Sequence, residues 1–282
     1  MQHPGVSGRA RPGSRVSNDL PEIREADAEG RTAEIYEEIR RAVGLPLVNL
    51  VYRVLAANGR LDPSWAQVRP NLCDPSIAAA AAGVVKAGTI GDWPGIPPTA
   101  IAAAGIGDER RERARATIDA YVHSNPRNLL AITTLLEPAV TAGEAPSIRE
   151  PGEAPHWDLL PMADLATLAP QTRALLDEMS RPIVAPGEAV LVPSLLRHFS
   201  DNPCFLGLLW TAIAPVAASG AIARAADAVI TMSTDEARRL PHPVERIDDP
   251  ETRDILERFR FTIARMIVVS QLMRAAVAPV TP

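Results

Sequence analysis

Three side chains in the second half of the chain stand at spacings that suit proton-transfer chemistry. If residues 191–201 form a helix, Ser194, His198 and Asp201 fall at i, i+4 and i+7, on one face. His198, whose imidazole titrates close to neutral pH, then serves as general base for a bound water. Ser194 and His198 also read as a nucleophile and its base. The competing reading is a hydrogen-bonded polar patch, with Asp201 acting as N-cap of a helix that opens at Asn202-Pro203. In the first half, Asn125 lies in the run His123-Ser124-Asn125-Pro126-Arg127, and Arg53 in a run of apolar residues. The Arg53 guanidinium offers a two-pronged fork for a substrate carboxylate and suits a salt bridge to a neighbouring acid equally well. His123 either lines a pocket with Asn125 or is a satisfied histidine at the core boundary. His3, His156 and His242 fall in tail, linker and loop contexts and read as incidental.

Composition removes several other classes of function. The 282 residues are 46% hydrophobic and 22% charged, with a net charge of −5. Arginine supplies nearly all the positive charge, Lys86 being the only lysine. That balance leaves no electrostatic footprint for a nucleic acid or an anionic membrane. Cys73 and Cys204 have no CxxC spacing, so neither a disulfide framework nor a zinc site follows. The sequence contains no GxGxxG, P-loop, HExxH or GxSxG, and its one Glu-x-x-His spacing, Glu153 to His156, falls in a linker. No metal and no cofactor is therefore expected. Residues 1–19 carry Arg9, Arg11 and Arg15 among Gly, Ser and Pro without an apolar stretch, and read as a disordered tail rather than a secretory signal. Cys204 to Ala223 is free of charge for long enough to raise a membrane span. Its Thr211, Pro215, Ser219 and Gly220 favour a pair of buried helices broken near Pro215. A cytoplasmic protein is the resulting expectation.

The elements that must position these groups are helical. Arg31–Val43 places Ile35, Ile39 and Val43 every fourth residue with charges between, and Gly44-Leu45-Pro46 ends it. Leu47–Asn58 is a second helix closed by Asn58-Gly59. Asp62-Pro63 opens a third, and Asp74 caps a fourth over Pro75–Ala87. Gly88–Pro98 reads as loop. Two more helices, Asp108–Val122 and Pro126–Val140, are expected on either side of Ser124-Asn125-Pro126. Residues 141–158, with three prolines and three glutamates, form a linker by composition.

Beyond the linker the pattern returns. Leu20-Pro21 has a counterpart in Leu160-Pro161, and a shift of 145 brings Leu50-Val51 onto Leu195-Leu196, Leu61 onto Leu206, Trp65 onto Trp210 and Pro70 onto Pro215. The same shift places Glu112-Arg113, Arg115 and Thr117-Ile118 on Glu257-Arg258, Arg260 and Thr262-Ile263. It also sets Asn49 and Arg53 opposite Ser194 and His198. This predicts an all-α protein of two tandem helical repeats, 20–140 and 159–282, related by a pseudo-two-fold axis around a central cleft.

The order of blocks Tyr36-Glu37-Glu38-Ile39 through Gly44-Leu45-Pro46, then Arg53-Val54-Leu55-Ala56, then the Trp65 helix, then Asn125-Pro126-Arg127 with Leu129-Leu130 and Ile132-Thr133, resembles the DehI-type (group I) 2-haloacid dehalogenases. The resemblance covers about residues 20–280. It implies a tandem-duplicated all-α fold, a homodimer, and hydrolysis of the carbon–halogen bond of short 2-haloacids without metal or cofactor. In that family an aspartate activates a water that attacks C2 directly, and an asparagine holds the water. The asparagine falls on Asn125. The aspartate falls on Ser194, which cannot take a proton from water at neutral pH, so His198 is the substitute base to examine. The family's pocket tryptophan falls on Leu47, and Leu47, Asn49, Leu50, Arg53 and His123 are the expected lining around a small carboxylic acid. The resemblance leaves three readings: a dehalogenase, a divergent hydrolase or lyase using His198, and a carboxylate-binding module without turnover.

Overall fold

A computed structural model describes residues 20–91, 93–137, 146–151, 155–188 and 190–278. Among them there are eleven α-helices, two single 3-10 turns and no strand. The expected disordered tail, 1–19, lies outside the described residues, as do parts of the expected linker. The linker residues that are described, 146–151 and 155–158, have no regular secondary structure.

A 3-10 turn at Glu25–Asp27 precedes α1 (Gly30–Val43), α2 (Leu50–Ala57), α3 (Leu61–Cys73), α4 (Ser76–Ala87), α5 (Pro98–Ala103) and α6 (Asp108–Leu136). A second turn at Leu165–Thr167 then precedes α7 (Pro170–Ser180), α8 (Ser194–Arg197), α9 (Pro203–Ala218), α10 (Ala221–Ala237) and α11 (Pro250–Ala276). The long helices α6 and α11 pack along each other, and α10 and α4 lean on this pair. The short helices cross over: α2 rests on α11, and α8 rests on α6.

Local chemistry explains the ends of these elements. The apolar stripe of α1 buries Ile35, Tyr36, Ile39 and Val43. Gly44 stops the helix in the left-handed conformation at φ +72°, returning its N–H to the Arg40 carbonyl at 2.9 Å. Asn49 caps α2 by accepting from the Val51 N–H at 3.2 Å, and Asn202 and Asp249 do the same for α9 and α11 at 3.0 Å each. Trp65 donates its indole N–H to Glu38 at 2.7 Å, and Trp210 donates to Glu178 at 2.9 Å, so each tryptophan ties the third helix of its half to the first.

Three expectations about helix boundaries are corrected. Asp108–Val122 and Pro126–Val140 are not separate helices, because α6 runs unbroken through Pro126. A proline forfeits one backbone bond, and burial of Ser124, Asn125, Pro126, Asn128 and Leu129 within the bundle outweighs that loss. The break within the uncharged stretch lies at Ser219-Gly220 rather than near Pro215, because Gly220 adopts the left-handed conformation at φ +73° and bends α9 from α10 by 76°. By length and composition that bent pair passes the test for a membrane span together. No single helix among the described residues is long and apolar enough to cross a bilayer. Residues 191–201 are not one helix either: α8 has four residues, and the chain then turns through Asp201. Residues 98–103, at the end of the expected loop, form the short α5.

Gly44 gives a direct check of this packing. A Cβ there would stand 2.8 Å from His123 Nε2 and 3.2 Å from Pro155 Cδ, in a backbone conformation that L-residues avoid. Gly44→Ala is expected to cost about 1–3 kcal/mol, read as a lower urea midpoint at unchanged m-value.

Candidate functional site

A cavity of about 70 Å³ lies where α2 meets α11 and α8 meets α6. That volume suits a short acid or a few waters. Its walls are apolar: Leu45, Leu47, Val48 and Leu50 on one side, Leu191, Phe259, Ile263 and Met266 on the other. Into this apolar surround project Arg53, Asn49, Tyr121, Asn125, Ser194, Thr262 and Glu25.

Each polar group reaches the cavity for a local reason. Arg53 lies mid-α2 and is largely buried, with one terminal nitrogen 3.2 Å from a Glu22 carboxylate oxygen. Its Nε is buried and makes no hydrogen bond. A buried, unpaired donor on a cation is costly, and a carboxylate entering the cavity would relieve it. Both readings of Arg53 thus meet in one side chain. Asn125 is buried on α6, one helical turn beyond Tyr121, so the two share a face. Ser194 opens α8 directly after Pro193. Glu25 faces the cavity, but one oxygen accepts from Arg40 at 2.7 Å and the other from the Val48 N–H at 3.0 Å. It works as a clasp between the first 3-10 turn, α1 and the start of α2.

The expected residues divide into two groups. Arg53, Asn49, Leu47, Leu50, Asn125 and Ser194 line the cavity together. His123 and His198 do not. His123 packs against Trp157, ring centroids 5.7 Å apart, and that tryptophan donates to the Gly44 carbonyl at 2.8 Å. Burial and the charge of Arg127 push the His123 imidazole down to about 4. Asp201 is not on a shared face with Ser194 and His198; it pairs with Arg110 at 2.6 Å.

His198 is buried one layer behind the cavity wall. Its Nδ1 lies 2.5 Å from the Leu160 carbonyl and its Nε2 3.1 Å from the Tyr121 hydroxyl. Tyr121 and Ser194 line the cavity side by side. The segment carrying Leu160 is held on both sides. Its Leu160 N–H donates to Thr117 on α6 at 2.8 Å, and the Arg197 guanidinium donates to the Ala163 carbonyl at 2.8 Å. Burial lowers the His198 pKa, as does the neighbouring Arg197 charge, against the opposing pull of its bond to Leu160.

Sequence reasoning missed Tyr121, Thr262, Glu25 and Met162 as lining residues. Tyr121 was accessible in principle, since it precedes Asn125 by one turn of the same helix. Glu25 carried no such signal, because its place depends on a 3-10 turn folding back onto α2.

No protein-family model matches the sequence. The configuration-inverting 2-haloacid dehalogenase of Pseudomonas sp. (strain 113) is 25% identical over 120 residues, which make up 42% of this chain and 39% of that relative's length. The complex structure of D-2-haloacid dehalogenase with L-LA superposes with a TM-score of 0.77 at 14% identity, covering 95% of this chain and 99% of that one. A mutant of D-2-haloacid dehalogenase in complex with D-2-CPA gives 0.73 at 14% identity, over 91% and 95%. This chain has the all-α fold of the D-2-haloacid dehalogenases. The likeness spans nearly the whole of both chains, so the dehalogenase fold accounts for both long helices and for the short helices that cross between them.

A half-buried and a buried histidine, both neutral at pH 7, give this fold an acid liability. His123 and His198 have pKa values lowered from an unfolded value near 6.5. The unfolded chain therefore binds more protons as pH falls below about 6.5, and stability drops. Urea melts between pH 7 and pH 5 are expected to show a falling midpoint, with a shallower fall in His123→Gln. An equal slope in that variant would contradict the assignment.

Proposed function

We propose that this protein is a member of the DehI-type 2-haloacid dehalogenases, with two tandem helical repeats, and that it hydrolyses the carbon–halogen bond of short 2-halocarboxylates. The observation that carries this reading is Arg53, a buried guanidinium with an unpaired Nε, in one small cavity with Asn125 and Ser194. Arg53 takes the substrate carboxylate, which places C2 among the apolar side chains between α2 and α11. Asn125 and Ser194 hold a water against C2. Attack from the side opposite the halogen displaces halide and inverts the centre, giving a 2-hydroxy acid. The apolar walls keep other water away, so the attacking oxygen is poorly hydrated and the charge on Arg53 is felt strongly. No cofactor enters this scheme.

The relatives support the same substrate class. One is configuration-inverting, and the ligands of two structural neighbours, L-LA and D-2-CPA, are a small hydroxy acid and a small haloacid. Inversion of a D-2-haloacid yields an L-2-hydroxy acid, so the two ligands are related as product and substrate class. A cytoplasmic homodimer belongs to this proposal. The free thiols Cys73 and Cys204 suit a reducing compartment.

The repeat is supported by matching contacts. The Ile23 N–H donates to the Arg53 carbonyl at 3.1 Å and the Ala163 N–H to the Arg197 carbonyl at 3.3 Å, while both tryptophans donate to a glutamate on the first helix of their half. These contacts make Arg197 the counterpart of Arg53, so the local shift is 144 rather than 145, and Ser194 answers Leu50 instead of Asn49.

Binding without turnover is the second reading. One observation favours it: both oxygens of Glu25, the one carboxylate among the described residues lining the cavity, are already engaged.

Wild type is expected to release halide from one or both enantiomers of 2-chloropropionate with inversion, followed by a halide electrode and chiral chromatography. Arg53→Leu should raise KM at least tenfold, in keeping with loss of a charge-assisted hydrogen bond of about 1.5–3 kcal/mol. Carboxylate binding without halide release would establish the binding module instead.

A further inference from the structure

Ser194 cannot accept a proton from water and keep it, yet it stands where a base is needed. The groups behind it supply an exit. The Leu160 carbonyl can only accept, so the His198 Nδ1 that meets it at 2.5 Å carries a proton. A neutral imidazole then presents a bare Nε2, and the Tyr121 hydroxyl at 3.1 Å donates to it. With its own proton committed, the Tyr121 oxygen, which lines the cavity beside Ser194, accepts from a water there. Every donor and acceptor in this row points the same way. The direction is set by one backbone carbonyl.

We infer that Tyr121 and His198 form a proton relay that takes the place of a carboxylate base, with His198 Nε2 as the terminal acceptor. The inference rests on the dehalogenase reading above and supplies its missing base. As the water oxygen bonds to C2 and the halide leaves with the carbon–halogen electron pair, the water gives a proton to Tyr121 Oη, and the Tyr121 proton moves to His198 Nε2. The sum is a hydroxy acid, a halide ion and a protonated His198. The proton returns by the same row to the solvent that follows product out. Tyr121 touches the reacting water, and His198 acts through it.

The environment of His198 suits a terminal acceptor. It is 2% exposed, so no bulk water competes for Nε2. From α6 it faces Tyr121, from its own segment the Arg197 cation, and from the segment below α8 only the carbonyls of Leu160 and Pro161. Arg197 and burial make it a weak base. A carboxylate is a weak base too, so the exchange costs little driving force.

The test is a set of variants assayed for halide release from 2-chloropropionate. Tyr121→Phe keeps the ring and removes the hydroxyl, and His198→Gln keeps a donor for Leu160 but cannot gain a proton. Each should lower kcat about 10²–10⁴-fold while KM stays within threefold, and circular dichroism should show the wild-type fold. Wild-type kcat should fall as pH drops through the lowered His198 pKa. Ser194→Asp, which brings a carboxylate to the water directly, should restore turnover in either variant background and make it insensitive to Tyr121 and His198. Wild-type turnover that survives both single substitutions would overturn the relay and leave the dehalogenase reading intact. Turnover by Ser194→Asp but not by wild type would overturn the relay and show an empty-handed binding cleft. Silence from both would remove the substrate class, and the relay with it.

Discussion

The contact between α6 and α11 governs the rest of the molecule. Both helices are long enough to run through the interior, and each buries a continuous series of side chains toward the other. Close packing at that seam leaves a short uncovered strip on each helix. The first half covers the strip on α11 with α2, and the second half covers the strip on α6 with α8. The cavity is what remains where those two caps fail to meet. Its apolar walls come from the approach to α2 and its first turn, from Leu191 ahead of α8, and from Phe259, Ile263 and Met266 of α11.

An apolar pocket places strict demands on the polar atoms inside it. Asn49 and Glu25 answer by accepting from backbone N–H groups. The Arg53 Nε does not. That imbalance is the kind that a ligand resolves, and it distinguishes Arg53 from Arg197, which spends its guanidinium on the Ala163 carbonyl. The first half faces its cation into the cavity; the second half uses its cation to pin a loop.

Much of the architecture was readable from residue order. Ile35, Ile39 and Val43 at helical spacing, Asn49, Asp74 and Asn202 ahead of helices, and Trp65 with Trp210 as recurring marks are local signals, and local energetics set them. Asn125 and Arg53 were readable as cavity-lining residues for a related reason: a polar side chain in an apolar helical run needs a purpose. Reading failed at Pro126 and Pro215, where burial along a long helix outweighed a lost backbone bond, and at residues 191–201, where periodicity suggested one helix and the chain turns after four residues. The trio Ser194, His198 and Asp201 depended on that helix, and it dissolves with it.

Sequence alone therefore determined the helical class and the residue types available to the cavity, since spacing and composition act within a few residues of themselves. Tertiary structure alone decided that His198 stands behind Tyr121 rather than in the cavity, and that Glu25 closes against Arg40. Those outcomes hinge on hydrogen bonds between segments far apart in the chain, such as Leu160 to His198 and Ile23 to Arg53. No pattern within a single helix encodes the distance between two others.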